Sequence, residues 1–202
     1  MFNKDLKGEI GFYDELGKKV IAYLNDLHPK WELTYSQHKK LPQMIGDIEG
    51  TLGGETIFHN KFIPELDLDI VVGIKSPEHQ NRIVLVLFEI KNQNSLKLMN
   101  YSQMLGYMMT ATQIRIGILL NVIKGTPPPC PLSNDFSALF RMNSLSMSFS
   151  VLQKKTATNY DFKTGICYCN PHSLIKWVDS SQSLGIGSWE QLADEIEADF
   201  HS

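Results

Sequence analysis

Apolar positions recur at Ile10, Tyr13, Leu16, Val20, Leu24 and Leu27. This spacing predicts a helix over 8–27 with a single apolar stripe. His28-Pro29 ends it, because a proline pushes the preceding residue out of the α region. Residues 31–37 alternate enough for a strand. Residues 38–60 carry Gly46, Gly50, Gly53 and Gly54 between short apolar pieces, and read as turns with room for a hairpin. Residues 62–74 read as a strand and 75–82 as a polar turn. Residues 83–91 form a strand that is apolar on both faces until Glu89, the mark of a central position in a sheet. Residues 95–112 read as a helix with Ser95 as its N-cap, and 114–123 as a second buried strand. The GTPPPCP run at 125–131 breaks the pattern. Beyond it, 145–153 and 165–169 read as strands. Ser188-Trp189-Glu190-Gln191 fits a capping box that opens a helix to about Phe200.

The order up to residue 124 is helix, three strands, helix, strand. A helical crossover between the last two strands implies that they pair in parallel. The expected architecture is α/β, a mixed central sheet flanked by helices. A core over 1–124 would carry a C-terminal extension over 125–202, packed on it as one compact unit.

Composition narrows the class. The chain has 202 residues, 43% apolar and 20% charged, enough for a core and unlike a disordered segment. No apolar run approaches the ~18–20 residues of a membrane span. The first residues, MFNKDLKGEIG, lack the apolar stretch of a secretory leader. With Cys130, Cys167 and Cys169 as the only cysteines, no disulfide framework is expected, and a reducing cytoplasm is. Cys167-x-Cys169 is spaced too tightly for a zinc knuckle and reads as two core positions on one strand face. The net charge of −3 hides an asymmetry. Between residues 70 and 129 stand Lys75, Arg82, Lys91, Lys97, Arg115 and Lys124 against Glu78 and Glu89, a local net of +4. After Val178 there are six acids and no lysine or arginine. The basic middle is permissive for phosphate binding.

The candidate chemistry lies at the end of the central strand. Glu89 and Lys91 are two apart, so both project from one strand face. Their burial is costly unless each has a partner, and each other is the simplest partner. Asp67 and Asp69 are likewise two apart, on the preceding strand. A hairpin turn centred near Glu78 would pair position i with about 157 − i, which sets Asp69 opposite Phe88 and Asp67 opposite Ile90, give or take a bulge. Two carboxylates then converge beside one lysine. Like charges at close range are stable mainly around a cation, and oxygen donors suit Mg²⁺ or Mn²⁺.

Asp69-x19-Glu89-x-Lys91, with Glu-x-Lys closing an apolar strand, resembles the active site of the PD-(D/E)XK nuclease superfamily. The restriction-endonuclease-like core of that superfamily has the same element order, and the resemblance covers about residues 8–123. It implies Asp69 and Glu89 as metal ligands, with the backbone carbonyl of Ile90 as a further one. It implies Lys91 as the group that orients the attacking water and steadies developing charge. It ranks Asp69 over Asp67, because Asp69 runs directly into Ile70-Val71-Val72. Gln103 and Tyr107, four apart on one face of the following helix, resemble the Gln-x-x-x-Tyr element of the RecB-like branch, where the glutamine lies beside the site. The stretch 103–122 is also similar to the GxxExxY branch. Some branches add a glutamate from the first helix. Glu9 lies about 35° from the centre of the apolar stripe at ~100° per residue, and Glu15 nearly opposite it, so Glu9 is the candidate. The resemblance implies a Mg²⁺-dependent deoxyribonuclease of restriction or repair type, a DNA partner, no membrane, and leaves a homodimer open. The alternative is a catalytically inactive nuclease fold that binds nucleic acid or protein.

Overall fold

A computed structural model of the chain describes residues 6–56, 62–79, 81–123, 132–143, 162–170, 173–178 and 185–201. The elements are α1 (Leu6–Leu27), β1 (Glu32–Lys40), α2 (Leu41–Leu52), β2 (Glu55–Thr56), β3 (Asp67–Lys75), β4 (Arg82–Lys91), α3 (Leu98–Thr110), β5 (Ile116–Val122), α4 (Asn134–Asn143), β6 (Lys163–Cys169), β7 (Lys176–Trp177) and α5 (Trp189–Phe200). They form an α/β fold around one mixed seven-stranded sheet, ordered β1-β3-β4-β5-β6-β7, with β2 beside the first residues of β4. The β3–β4 hairpin is antiparallel and the β4–β5 and β5–β6 pairs are parallel.

Alternation along the central strands builds two cores. Ile70, Val72, Val84, Val86, Phe88 and Ile90 face Tyr13, Leu16, Val20 and Leu24 of α1 and Ile196 and Phe200 of α5. Val71, Leu85, Leu87 and Leu119 face α2 and α3. A strand covered on both faces must be apolar on both, which is why the runs in β4 and β5 are nearly continuous. Cys167 and Cys169 are buried free thiols of β6, held protonated by burial, which pushes the Cys169 thiol up to about 11. No described helix is long and apolar enough to cross a membrane.

Three expectations need correction. Residues 41–56 are not turns or a hairpin but α2 and the short β2. Gly46 and Gly50 face open space, while Leu41, Met44, Ile45, Ile48 and Leu52 form a buried stripe. Pro42 sits at the helix start and Gly53, in the left-handed conformation, closes it, as helix ends favour. The helix docks closely because Ile48 lies where a Cβ on Gly73 would be. The N-cap of α3 is Lys97, not Ser95. Leu96 is bridged to Leu132 and its carbonyl accepts from the Ser133 amide, which keeps 95–97 extended. The strand expected over 62–74 starts only at Asp67. The Leu66 carbonyl ahead of it accepts instead from the first amide of α2, that of Leu41.

Among the described residues, two strands after residue 124 belong to the same sheet: β6 extends it beside β5 and β7 pairs with β6. The Pro-rich break at 125–131 and the strand read at 145–153 lie outside the described residues. At α5 the capping box is split. Ser188 Oγ accepts from the Gln191 amide at 3.1 Å, while Gln191 Oε1 accepts from Gly187 rather than from Ser188.

Candidate active site

The β3–β4 ladder runs from Lys75↔Ile83 to Ile70↔Phe88. Its register is therefore 158 − i, one residue from the expected pairing, and projects Asp69 opposite Glu89. The regular pairing ends just there. In place of a strand partner, the Ile90 amide donates to Asp69 Oδ2 at 2.7 Å. In an antiparallel ladder the N–H and C=O of one residue face the same neighbour, so the Ile90 carbonyl opens on the Asp69 side. The other Asp69 oxygen, Oδ1, accepts from the Tyr13 hydroxyl of α1 at 2.7 Å. Asp69 is half-buried, whereas Asp67 is exposed.

Glu89 is only 2% exposed. Its Oε1 accepts from Lys91 Nζ at 2.6 Å, and its carboxyl also meets that of Asp69. Burial pushes the Glu89 carboxyl up to about 7; the Asp69 charge adds to this and Lys91 opposes it. The structure thus brings Asp69, Glu89 and Lys91 together at one end of the sheet. One lysine does not neutralise two adjoining carboxylates. The donor set is oxygen-only and anionic, and it fits a hard divalent cation.

A pH dependence follows for the metal-free protein. Because the native Glu89 carboxyl holds its proton more tightly than an unfolded one, its contribution to stability is full below the usual carboxyl range near 4.5 and is lost as pH rises through about 7. In urea titrations with EDTA, stability should fall across that window by on the order of 3 kcal/mol. Glu89→Gln should flatten the fall. An unchanged slope in that variant would assign the titration to another group.

Several supporting residues were not singled out by sequence. Tyr13 is 1% exposed inside the apolar stripe. A buried hydroxyl needs a partner, and Asp69 is that partner. Its ring centroid lies 6.0 Å from that of His38. His38 adopts φ 49° within β1, an uncommon conformation away from glycine that gathers at functional sites. Asn121 is fully buried in β5, paired in register with Lys91. Its side chain clamps the main chain just beyond the lysine, accepting from the Gln93 amide at 3.3 Å and donating to the Gln93 carbonyl at 3.0 Å. The Gln93 amide group in turn reaches Asn100 Oδ1 at 2.5 Å, tying this loop to the start of α3.

Other candidates are not gathered in. Gln103 is exposed, and its amide donates to the Tyr107 hydroxyl at 2.6 Å on the same helix. The apolar residues Tyr101, Met104 and Met108 do face inward as expected. Glu9 lies one turn before Tyr13 on α1, and its side chain lies outside the described residues. Glu15 pairs with Lys19 at 2.8 Å.

Three cations of the basic middle bond to other parts of the fold. Lys75 Nζ donates to the Leu52 carbonyl at 2.7 Å, Arg82 Nη1 to the Phe200 carbonyl at 2.5 Å, and Arg115 pairs with Asp199 at 2.9 Å. Two of these cations therefore hold the acidic C-terminal helix. Lys97 is exposed at the start of α3, and Lys124 lies outside the described residues.

No protein-family model matches the chain, and neither a characterised protein nor a solved structure matches it.

Proposed function

We propose that the chain is a metal-dependent nuclease of the PD-(D/E)XK type, with a restriction-endonuclease-like core, that hydrolyses DNA phosphodiesters. The observation that carries this reading is the contact of Asp69 and Glu89, with Lys91 on Glu89, where the β3–β4 ladder opens. Asp69, Glu89 and the Ile90 carbonyl would hold Mg²⁺ or Mn²⁺, which when bound activates water and offsets phosphate charge. The chain's own residues do the rest. Tyr13 and the Ile90 amide fix both oxygens of Asp69. Burial keeps Glu89 in one place. Lys91 holds a fixed positive charge beside the position where the phosphoryl oxygens gain charge. Asn121, through Gln93, steadies the loop that follows the lysine.

One observation favours the second reading, a nuclease-fold module that binds without cutting. Lys91 is already paired with Glu89, and Arg82 and Arg115 are committed to α5. The two readings part when the full chain is incubated with supercoiled, linear and single-stranded DNA in Mg²⁺, Mn²⁺ or EDTA. The nuclease reading expects cleavage with either ion and none with EDTA. Cleavage that persists in excess EDTA removes the metal from the mechanism. Binding without cleavage in every ion supports the module.

A further inference from the structure

A second cluster lies at the other end of the β3–β4 hairpin. His79 stands in the turn between the strands, and Glu197 and His201 are four apart at the end of α5, on one helical face. One ligand-capable atom from each of the three lies within 4.8 Å of the others. Glu89 stands six positions beyond Ile83, which lies beside this turn, along β4, roughly 20 Å at ~3.3 Å per residue. The cluster is therefore independent of the Asp69/Glu89 site.

Three features point to an ion. His79 Nε2 is buried and has no hydrogen-bond partner among the described residues, a costly arrangement for a ring nitrogen. The His79 ring is held in place: it stacks on Phe200 with centroids 5.3 Å apart and planes 6° apart, and it meets the His201 ring edge-on at 4.7 Å. Glu197 is held too, since Trp31 Nε1 donates to its Oε1 at 3.2 Å, the kind of supporting bond that orients a metal-binding carboxylate. Ligands at about 2.0–2.2 Å from one ion lie about 3–4 Å apart, so the three side chains need close by only about an ångström.

We propose that His79, Glu197 and His201 bind a transition-metal ion, foremost Zn²⁺, which fastens the end of α5 to the β3–β4 turn. Two imidazoles and one carboxylate suit zinc and not magnesium. The fastening reinforces an attachment the chain already makes through Arg82 to the Phe200 carbonyl and Arg115 to Asp199. It secures Ile196 and Phe200, which α5 contributes to the core.

Calorimetric titration of Zn²⁺ into the chelator-stripped full chain tests this. One ion per chain is expected to bind, undisturbed by excess Mg²⁺ and by Glu89→Gln. His79→Ala and His201→Ala should each weaken it by about 100-fold or more, beyond the ~10–100-fold typical of losing only a supporting partner. Zn²⁺ should raise the melting temperature of the wild type and leave that of His201→Ala unchanged. His201 is exposed just beyond α5, so its replacement leaves the core in place. Co²⁺ should give visible absorption bands that disappear in His79→Ala. The proposal is overturned if Zn²⁺ does not bind, if both histidine variants bind it as the wild type does, or if Glu89→Gln abolishes the binding.

Discussion

Glu89→Gln and Lys91→Ala are each expected to lower DNA cleavage by about 10³-fold or more, the scale of losing a group that acts on developing charge, while the chain stays folded. Their effects on stability should differ in sign. Glu89 is buried beside Asp69 with its carboxyl raised to about 7, so a neutral amide of the same shape removes a repulsion. Without metal, at neutral pH and above, Glu89→Gln should melt no lower than the wild type, and it should lack the gain in melting temperature that Mn²⁺ is expected to give the wild type. Lys91→Ala removes the cation bonded to Glu89 at 2.6 Å. Breaking a buried ion pair costs about 3–5 kcal/mol when the remaining charge has no escape. Glu89 has one, because its carboxyl already lies near neutrality and takes up a proton, so the loss should be smaller and should grow with pH. Calorimetry of both variants with and without Mn²⁺ reads all four states. A large loss from Glu89→Gln, with no effect of metal on the wild type, would leave the pair as a buried bridge and nothing more.

The parts of the fold legible in the sequence are those where one periodicity dominates. The stripe of α1, the two-faced run of β4 and the parallel entry of β5 after α3 follow from spacing and burial alone. Helix α2 was hidden by its glycines. Gly46 and Gly50 read as breaks, yet a helix tolerates glycine on its exposed face at about 1 kcal/mol each, and Leu41, Met44, Ile45 and Ile48 outweigh that by burial. The repeat at i, i+3, i+4 and i+7 was present in the sequence.

The site divides along the same line. Pairs two apart on a strand, Asp67/Asp69 and Glu89/Lys91, are visible because alternation fixes their faces. Tyr13 reads as core from its place in the apolar stripe, and its hydroxyl bond to Asp69 spans 56 residues. Asn121 stands as the one polar residue in an apolar strand, a signal that was available in the sequence. The commitment of Arg82 to the Phe200 carbonyl spans 118 residues and has no local signature. Counting charges along the chain makes residues 70–129 basic, while the fold spends two of those arginines on its own C-terminal helix.

Asp69→Asn should lower cleavage by about 10²-fold or more on the same electrostatic scale, and Asp67→Asn by no more than a few-fold. Alternation alone leaves the two aspartates equivalent. Register separates them: with Ile70 paired to Phe88, Asp69 falls opposite Glu89, while Asp67 falls two residues further on, at the end of the strand. Surroundings separate them again. Asp67 is exposed and pairs in register with Lys40, whose ammonium is already bonded to Glu65 at 2.5 Å. Both oxygens of Asp69 accept a hydrogen bond, one from Tyr13 and one from the Ile90 amide. An asparagine has one acceptor oxygen and turns an N–H toward the second donor, at a cost of about 1–3 kcal/mol for the group left without a partner. The substitution would thus remove a ligand of the proposed metal site and loosen the attachment of β3 to β4 at the residue before the Lys91 strand end. Single-turnover cleavage by both variants, with unfolding followed alongside, tests the ranking. The reverse order would move the first ligand to Asp67 and leave Asp69 as the residue that closes the ladder.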